Sequence, residues 1–313
     1  MVQVYKEPLC RRYYGSVLGD AALFRLSAYL AAIVLALVIA YATGGFWVRL
    51  KPVNVQATVH YTQDALLIFE GQSSGQTLVW STSDTTNAVF SNNFAPASVQ
   101  VSDEDLNNDG KPDIINFRAS VASSFPIHSV KALLQFTYSL AGNLQLDMYS
   151  LAYLAYSSPV QGDTLFTDGE LVLQAKNQIG DRRYNSVYNV PILNSTTPSV
   201  QTAVQPTLAL EMQSILSNYL SRNYTTLYTN NYPVWTAGTR NSFELRMRIR
   251  IPPNQVAYYR PQTIEMLKFG WIQWLATFIV LWYLIQWAEW FVFSFRLVGA
   301  RIVSDFQPQK QRF

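Results

Sequence analysis

The chain of 313 residues is poor in the residues on which small extracellular domains and hydrolytic enzymes rely. It has one cysteine, Cys10, and two histidines, His60 and His128. One cysteine cannot form an intrachain disulfide, so a domain outside the cytosol must be held by its hydrophobic core, which a domain of about 200 residues can provide. Two histidines also leave little choice of general base for nucleophilic catalysis.

Charge is scarce as well. Asp, Glu, Lys and Arg make up 14% of the residues, and two long stretches contain none of them: LSAYLAAIVLALVIAYATGGFWV, residues 26–48, and FGWIQWLATFIVLWYLIQWA, residues 269–288. An α-helix needs about 20 apolar residues to cross the hydrocarbon core of a bilayer, and both stretches are long enough. The first is too long for the apolar core of a cleaved signal peptide, so we predict that it is retained as an anchor.

The basic residues near the two spans are unevenly distributed. Most lie in the tails and the N-terminal flank of the first span, namely Lys6, Arg11, Arg12, Arg25, Arg296, Arg301, Lys310 and Arg312. Fewer lie at the membrane-proximal ends of the intervening segment, chiefly Arg49, Lys51, Arg250, Arg260 and Lys268. The positive-inside rule therefore favours cytosolic termini.

Two N-glycosylation sequons, at Asn194 and Asn223, agree with this orientation because both fall between the spans. The predicted organisation is a cytosolic tail (1–21), a transmembrane helix (22–48), an extracellular β-rich domain (49–267), a second transmembrane helix (268–292) and a cytosolic tail (293–313). Basic and acidic residues nearly balance within the central domain. We therefore expect no nucleic-acid partner.

The central segment has the patterns of strands. Its candidate strands alternate or are rich in β-branched and aromatic residues, and they include VNVQATVHY, ALLIFEG, TLVWSTS, DIINFRASV, VKALLQFTYSL, LQLDMYSLAYLAY, ELVLQAK and FELRMRIRI. The turn-forming segments GQSSG, NNDG, AGN and TDGE separate them. Residues 206–223 instead have helical spacing, and RIPPNQVAYYRPQ is expected to be an extended linker. The predicted fold class is a membrane protein of the α+β type, in which two transmembrane helices flank an extracellular antiparallel β-sandwich-like domain with one packed helix.

The segment DLNNDGKPD, residues 105–113, has the oxygen-rich spacing of a calcium loop. Its candidate ligands are the side chains of Asp105, Asn107, Asp109 and Asp113, and Gly110 would make the turn. It is not an EF-hand, because its twelfth position is Asn116 rather than Glu. Clustered carboxylates repel one another unless a cation neutralises them, so the pattern predicts a structural calcium ion. The same residues also fit a plain Asx turn, and both interpretations remain open.

The segment GQSSG, residues 71–75, matches the nucleophile elbow of hydrolases, with Ser73 as the nucleophile. That elbow requires a helix after the motif. Here the strand-like QTLVWSTS follows, so the segment is expected to be a hairpin turn. We predict that the protein is not an enzyme and has no small-molecule substrate.

Within the first span, small residues recur every four positions: Ala28, Ala32, Ala36, Ala40 and Gly44. Such stripes let helix backbones approach closely in lipid, so the stripe is a candidate helix-packing face, against the second span or another protein. In the second span, Trp271 and Trp290 fit the aromatic belts at the two membrane surfaces. Glu289 is expected at the cytosolic headgroups, or in a buried contact with a partner.

Several segments together resemble the transmembrane protein 231 family: GFWVRL, DEDLNNDGKPDIINF, YPVWTAG and EMLKFGWIQWLATFIVLWYLIQWAEWFVF. The resemblance covers essentially the whole chain in order. It implies a membrane component of the ciliary transition zone within the Meckel syndrome complex, with tectonic proteins among its partners. It also implies a role in the barrier that restricts membrane-protein diffusion into the cilium, and it carries no catalytic residues.

The sequence thus favours a structural membrane protein embedded in the lipid bilayer, with calcium as its one candidate cofactor. Two other classes share parts of this organisation. An oligomeric ligand-gated cation channel also has two spans and a large β-rich ectodomain, although such ectodomains are rich in disulfides. A calcium-dependent adhesion protein would use the acidic loop at a contact surface.

Overall fold

The computed structural model describes residues 11–16, 19–44, 46–73, 75–142, 144–180, 184–193 and 208–304. The backbone divides into two compact units. The helical unit contains the two terminal portions of the chain, up to Arg49 and from Pro261 onwards, and the β-domain comprises Leu50–Arg260.

The helices are α1 (Asp20–Ala42), α2 (Asp84–Val89), α3 (Leu208–Leu220) and α4 (Thr263–Ser294). A 3₁₀ turn covers Ser91–Asn93. The strands are β1 (Arg11–Tyr14), β2 (Lys51–Val55), β3 (Thr58–Glu70), β4 (Thr77–Ser81), β5 (Ala97–Glu104), β6 (Ile114–Ala122), β7 (Ile127–Leu140), β8 (Leu146–Ala175), β9 (Ile179–Gly180), β10 (Tyr224–Asn230), β11 (Val234–Ala237), β12 (Ser242–Arg250), β13 (Gln255–Arg260) and β14 (Arg301–Ser304).

Helices α1 and α4 are both long and apolar enough to cross a membrane, with mean hydropathies of 2.3 and 1.5 over their most apolar windows. At 1.5 Å per residue, the 32 residues of α4 extend about 48 Å, so its ends reach beyond a hydrocarbon core of about 30 Å. The helix limits differ from those predicted. Helix α1 ends at Ala42 rather than at residue 48, because Gly44 turns the backbone at a positive φ of 75°. Helix α4 begins at Thr263 rather than 268, because helical hydrogen bonding extends beyond the uncharged run into a segment that includes Glu265 and Lys268.

The two terminal portions of the chain also meet within the helical unit. Strands β1 and β14 form an antiparallel ribbon in which Arg12 pairs with Val303 and Tyr14 with Arg301. The ring of Tyr13 lies 5.4 Å from that of Phe293 on α4. Neither tail has a sequence pattern that predicted a strand.

The β-domain is built on a nine-stranded sheet with the order β4-β3-β7-β8-β12-β6-β5, to which β10 and β11 add by pairing with β8. Strand β8 has 30 residues. Its first half pairs with β7, and its second half pairs with β10 and β11 on one edge and with β12 on the other. One long strand therefore belongs to two halves of the sheet. Strands β2, β13 and β9 form a second, three-stranded sheet.

The two halves of the large sheet enclose one core. The ring of Phe69 on β3 lies 5.6 Å from that of Phe243 on β12, and Tyr61 contacts both Phe117 and Phe136. These four phenylalanine side chains are at most 2% exposed. The α+β, sandwich-like fold class is therefore confirmed, although β8 and β12 pair in parallel rather than antiparallel.

Helix α3 covers the other face of the first half of the sheet, as its spacing predicted. Met212 and Tyr219 pack against Leu66 and Leu133 in a second apolar cluster. The hydroxyl oxygen of Tyr219 accepts N–H bonds from Thr226 at 2.6 Å and from Leu151 at 3.3 Å, and burial raises its pKa. Because core and helix cover opposite faces of β3, residues 65–69 are all buried.

Two local predictions in the β-domain were wrong. The segment TDGE, expected to be a turn, lies inside β8, where Gly169 allows close approach of the Thr229 carbonyl on β10. The segment expected to be a linker contains β13, which pairs with β2 and β9. In both places, pairing with distant strands overrides the local preference of Gly and Pro.

A buried glutamine fixes the segment that leads away from β9. The Gln135 side chain is fully buried on β7, and its oxygen accepts N–H bonds from Ile192 at 2.6 Å and Leu193 at 2.9 Å. Its nitrogen donates to the Asp64 carboxylate at 2.7 Å. This residue therefore joins β7, β3 and residues 192–193 through one side chain.

Candidate functional site

The acidic loop connects β5 to β6 as the turn of a hairpin. The strands pair up to Glu104 and Ile114, and the Asp113 N–H donates to the Glu104 carbonyl at 2.9 Å. Asn108 and Gly110 adopt positive φ angles of 57° and 79°. Asn and Gly tolerate this conformation best, which explains why NNDG can turn here.

The carboxylates in the loop accept hydrogen bonds from the loop's own backbone. The Asp105 oxygens accept from the N–H groups of Asp109 at 3.3 Å and Gly110 at 2.8 Å. Asp113 accepts from the Leu106 N–H at 2.9 Å. The Asn107 side-chain oxygen accepts from the Asp109 N–H at 2.9 Å. All four candidate ligands therefore belong to one Asx-type network.

This network offsets part of the negative charge. Desolvation acts to raise the pKa of Asp109, but hydrogen bonds from the Lys111 N–H and the side chains of Gln56 and Asn107 outweigh it and lower that pKa. Among the described residues, no three His, Cys, Asp or Glu side chains come together as metal ligands. The loop has the oxygen ligands that suit calcium, and its own hydrogen bonds also hold the turn without a cation. The calcium site stays a prediction.

The small-residue stripe of α1 lies on the side of the helix that faces α4. Ala32 and Ala36 are fully buried and Ala40 is 1% exposed. Ala28 is half-buried, and Gly44 is exposed beyond the end of the helix. Neighbouring positions on other sides of α1, such as Leu30 and Leu37, are more than half exposed. The stripe residues from 32 to 40 thus form the packed face, and the large apolar side chains face outward, as lipid-facing residues do.

Polar contacts also join the two helices. The Thr277 hydroxyl on α4 lies 3.1 Å from the Ala36 carbonyl, which the absence of a larger side chain leaves accessible. The Trp274 indole N–H donates to the Ile33 carbonyl at 3.4 Å. Nearer the chain termini, Arg25 pairs with Glu289 across the helices at 3.6 Å. Glu289 therefore has a partner within the chain. The sequence indicated the packing face but not Thr277, because a single Thr in a span has no periodic signal.

The remaining candidate residues lie apart from both sites. Asn223 is exposed just before β10, and Asn194 lies outside the described residues. Ser73 is in the β3–β4 turn, with a strand on each side and no helix following it. Trp271 and Trp290 are 59% and 60% exposed near opposite ends of α4, where interfacial anchors would lie.

Two paired helices with outward-facing apolar side chains, joined in sequence by a β-rich domain, define a two-span membrane protein. A family model described as Transmembrane protein 231 matches residues 1–302. The chain therefore belongs to the transmembrane protein 231 family.

Relatives of that name cover nearly the whole chain. The Transmembrane protein 231 of Xenopus tropicalis is 30% identical over 298 residues, which are 94% of this chain and 93% of the relative. The one from Homo sapiens is 29% identical over 303 residues, 95% of this chain and 93% of the relative. The one from Gallus gallus is 28% identical over 313 residues, which are 98% of this chain and 95% of the relative. No solved structure matches the chain.

Proposed function

We propose that this protein is a non-enzymatic membrane scaffold of the ciliary transition zone. It contributes there to the barrier that limits diffusion of membrane proteins between plasma membrane and cilium, and so to cilium assembly and ciliary membrane composition. The observation that carries the proposal is membership of the transmembrane protein 231 family over residues 1–302, since resemblance to that family implies this role.

The physical organisation of the chain suits a scaffold. The two helices pair closely through Ala32, Ala36 and Ala40, so each chain contributes one compact two-helix element to the membrane. Large apolar side chains on the outer sides of both helices remain available to lipid or to neighbouring spans. The proposed partners are tectonic proteins and other membrane members of the Meckel syndrome complex.

The proposed topology places both termini in the cytosol and the β-domain outside the cell. The basic residues of the tails and the exposed position of Asn223 support it. On this side calcium is abundant, so even a site of the weak extracellular class would be filled. A bound calcium ion would hold the β5–β6 hairpin rigid at the edge of the sheet.

Localisation of the chain tests the proposal. A tag at the C-terminus, expressed from the endogenous locus in ciliated cells, should form a ring at the cilium base, between basal-body and axonemal markers. Purification through the tag should recover tectonic proteins. A uniform plasma-membrane signal with calcium or sodium currents would support the channel instead, and enrichment at cell–cell contacts would support adhesion. Either result would contradict the proposed function.

A further inference from the structure

A polar pocket lies at one end of the β-domain, where three parts of the chain meet. They are the β6–β7 turn at residues 123–126, the middle of β8 around Gly162, and the β11–β12 loop at residues 238–241. The pocket has a volume of about 120 Å³. An enclosed water needs about 10–15 Å³ of such space, so the pocket can hold a group of about ten non-hydrogen atoms.

The accessible lining of the pocket is mainly polar. Ile127, Gly162 and Phe243 are buried, whereas Ser124, Thr239 and Asn241 are exposed. The side chains of these three polar residues form no hydrogen bond with any other part of the described chain. They are therefore available to a ligand as both donors and acceptors.

The walls of the pocket are held in place by hydrogen bonds between its three segments. The Gln161 side-chain N–H donates to the Gly238 carbonyl at 2.7 Å, and the Ser123 N–H donates to the Asn241 carbonyl at 2.9 Å. At Gly162 a side chain would overlap the indole of Trp235, so glycine is required for this packing. The site is thus formed before any ligand arrives, which lowers the entropic cost of binding.

The charges at the pocket favour a neutral ligand. Arg240 is the one lining residue with a charge, and its guanidinium lies 3.7 Å from the Asp163 carboxylate. The Arg240 backbone N–H donates to the same carboxylate at 2.9 Å. The pair sums to zero net charge, so an anion gains little here. The guanidinium is 75% exposed and keeps further N–H donors for hydroxyl oxygens.

A ligand that matches this lining is neutral and has several hydroxyl groups, which both donate and accept hydrogen bonds. It also has about ten to twelve non-hydrogen atoms. We propose that the pocket binds one neutral pyranose residue, such as the terminal sugar of a glycan. On the proposed topology it opens on the glycan-bearing side of the membrane. The binding itself goes beyond the scaffold function and does not depend on it.

The test uses the full chain in phosphatidylcholine nanodiscs, because sugar-headed detergents would compete. Saturation-transfer NMR is recorded with methyl glucoside, methyl mannoside, methyl galactoside, the charged methyl glucuronide and acetate. At least one neutral pyranoside should bind with a Kd of about 1–10 mM, the range expected for so small a ligand in a shallow site. Asn241→Ala should weaken this binding about tenfold, because it removes hydrogen bonds to the sugar.

Asn92→Ala is the matched control. Asn92 is also exposed, lies in the 3₁₀ turn and does not line the pocket, so its substitution should leave the Kd unchanged. Thr239→Ala gives a second pocket variant should Asn241→Ala lower the melting temperature. The proposal is overturned if no neutral pyranoside binds at 10 times the expected Kd, or if glucuronide and acetate alone bind. Equal binding by both folded pocket variants and the wild type would also overturn it.

Discussion

Replacing Ala36 by leucine should separate helices α1 and α4 of the helical unit. Ala36 is fully buried, and its carbonyl lies 3.1 Å from the Thr277 hydroxyl on α4. Leucine adds three carbons where no space exists, and overpacking of this kind costs about 1–3 kcal/mol. The pairing equilibrium should therefore weaken by about 5–150-fold.

The assay follows pairing by crosslinking while SDS is titrated into the membrane mimetic. In a Cys10→Ser background, Phe46→Cys and Gly270→Cys supply the thiols, because a Cβ at Gly270 would lie 3.4 Å from the Phe46 ring. Ala36→Leu should lower the SDS fraction at which half of the crosslink is lost. Ala31→Leu adds the same side chain at an exposed position of α1 and should leave that SDS fraction unchanged. If the two variants behave alike, close packing of this stripe does not hold the helices together.

Four further substitutions have defined outcomes. Gln135→Leu removes the acceptor of the Ile192 and Leu193 N–H groups from a buried position and should destabilise the β-domain by about 2–5 kcal/mol in thermal unfolding. Substitution of the exposed Gln174 by leucine should have little effect, and equal melting temperatures of the two variants would refute the role of Gln135. Calcium at about 100 times its Kd should stabilise the wild type by about 2.7 kcal/mol and Asp109→Ala by much less, and a wild type that melts alike in chelator and millimolar calcium has no such site. Asn223→Gln should abolish part of the gel shift caused by peptide-N-glycosidase, and a wild type with no shift at all would count against an extracellular β-domain. The hydrogen bond from Arg246 at 2.9 Å is the chief cause of the lowered pKa of Glu244, so the ionised carboxylate stabilises the fold above the unfolded pKa of about 4.3, and this stabilisation is lost as pH falls through the folded pKa. Glu244→Gln should reduce the loss of stability at acid pH, and an unchanged dependence of stability on pH would refute the pairing.

The membrane helices could be predicted because a span needs only sufficient length and the absence of charge. The limits of these helices could not be predicted, since helical hydrogen bonding continues beyond the uncharged run, as it does through the charged Glu265 and Lys268. The alanine stripe indicated which face of α1 would pack. The surface of α4 that packs against this stripe could not be predicted, because Thr277 and Glu289 belong to no repeating pattern that would match them to α1.

The β-rich class of the central domain was also predictable, from alternation along single strands. The sheet order was not, because it depends on pairs far apart in sequence. The parallel contact of Leu245 with Leu165 is one example. Gly169 shows the physical reason: glycine in TDGE favours a turn locally, but here it admits a neighbouring backbone, and only the paired strands distinguish the two uses. Strands β5 and β10 were missed because Ser, Thr, Asn and Gln make up much of their sequences.

The claim that a paired two-helix membrane unit supports a transition-zone scaffold is tested most directly by rescue. Ciliated cells lacking the endogenous chain receive the wild type, Ala36→Leu or Ala31→Leu at equal expression, and the entry of a plasma-membrane reporter into the cilium is measured by photobleaching recovery. Wild type and Ala31→Leu should restore exclusion of the reporter, whereas Ala36→Leu should insert in the membrane without restoring exclusion. Full rescue by Ala36→Leu, or normal exclusion in cells without the chain, would contradict the claim.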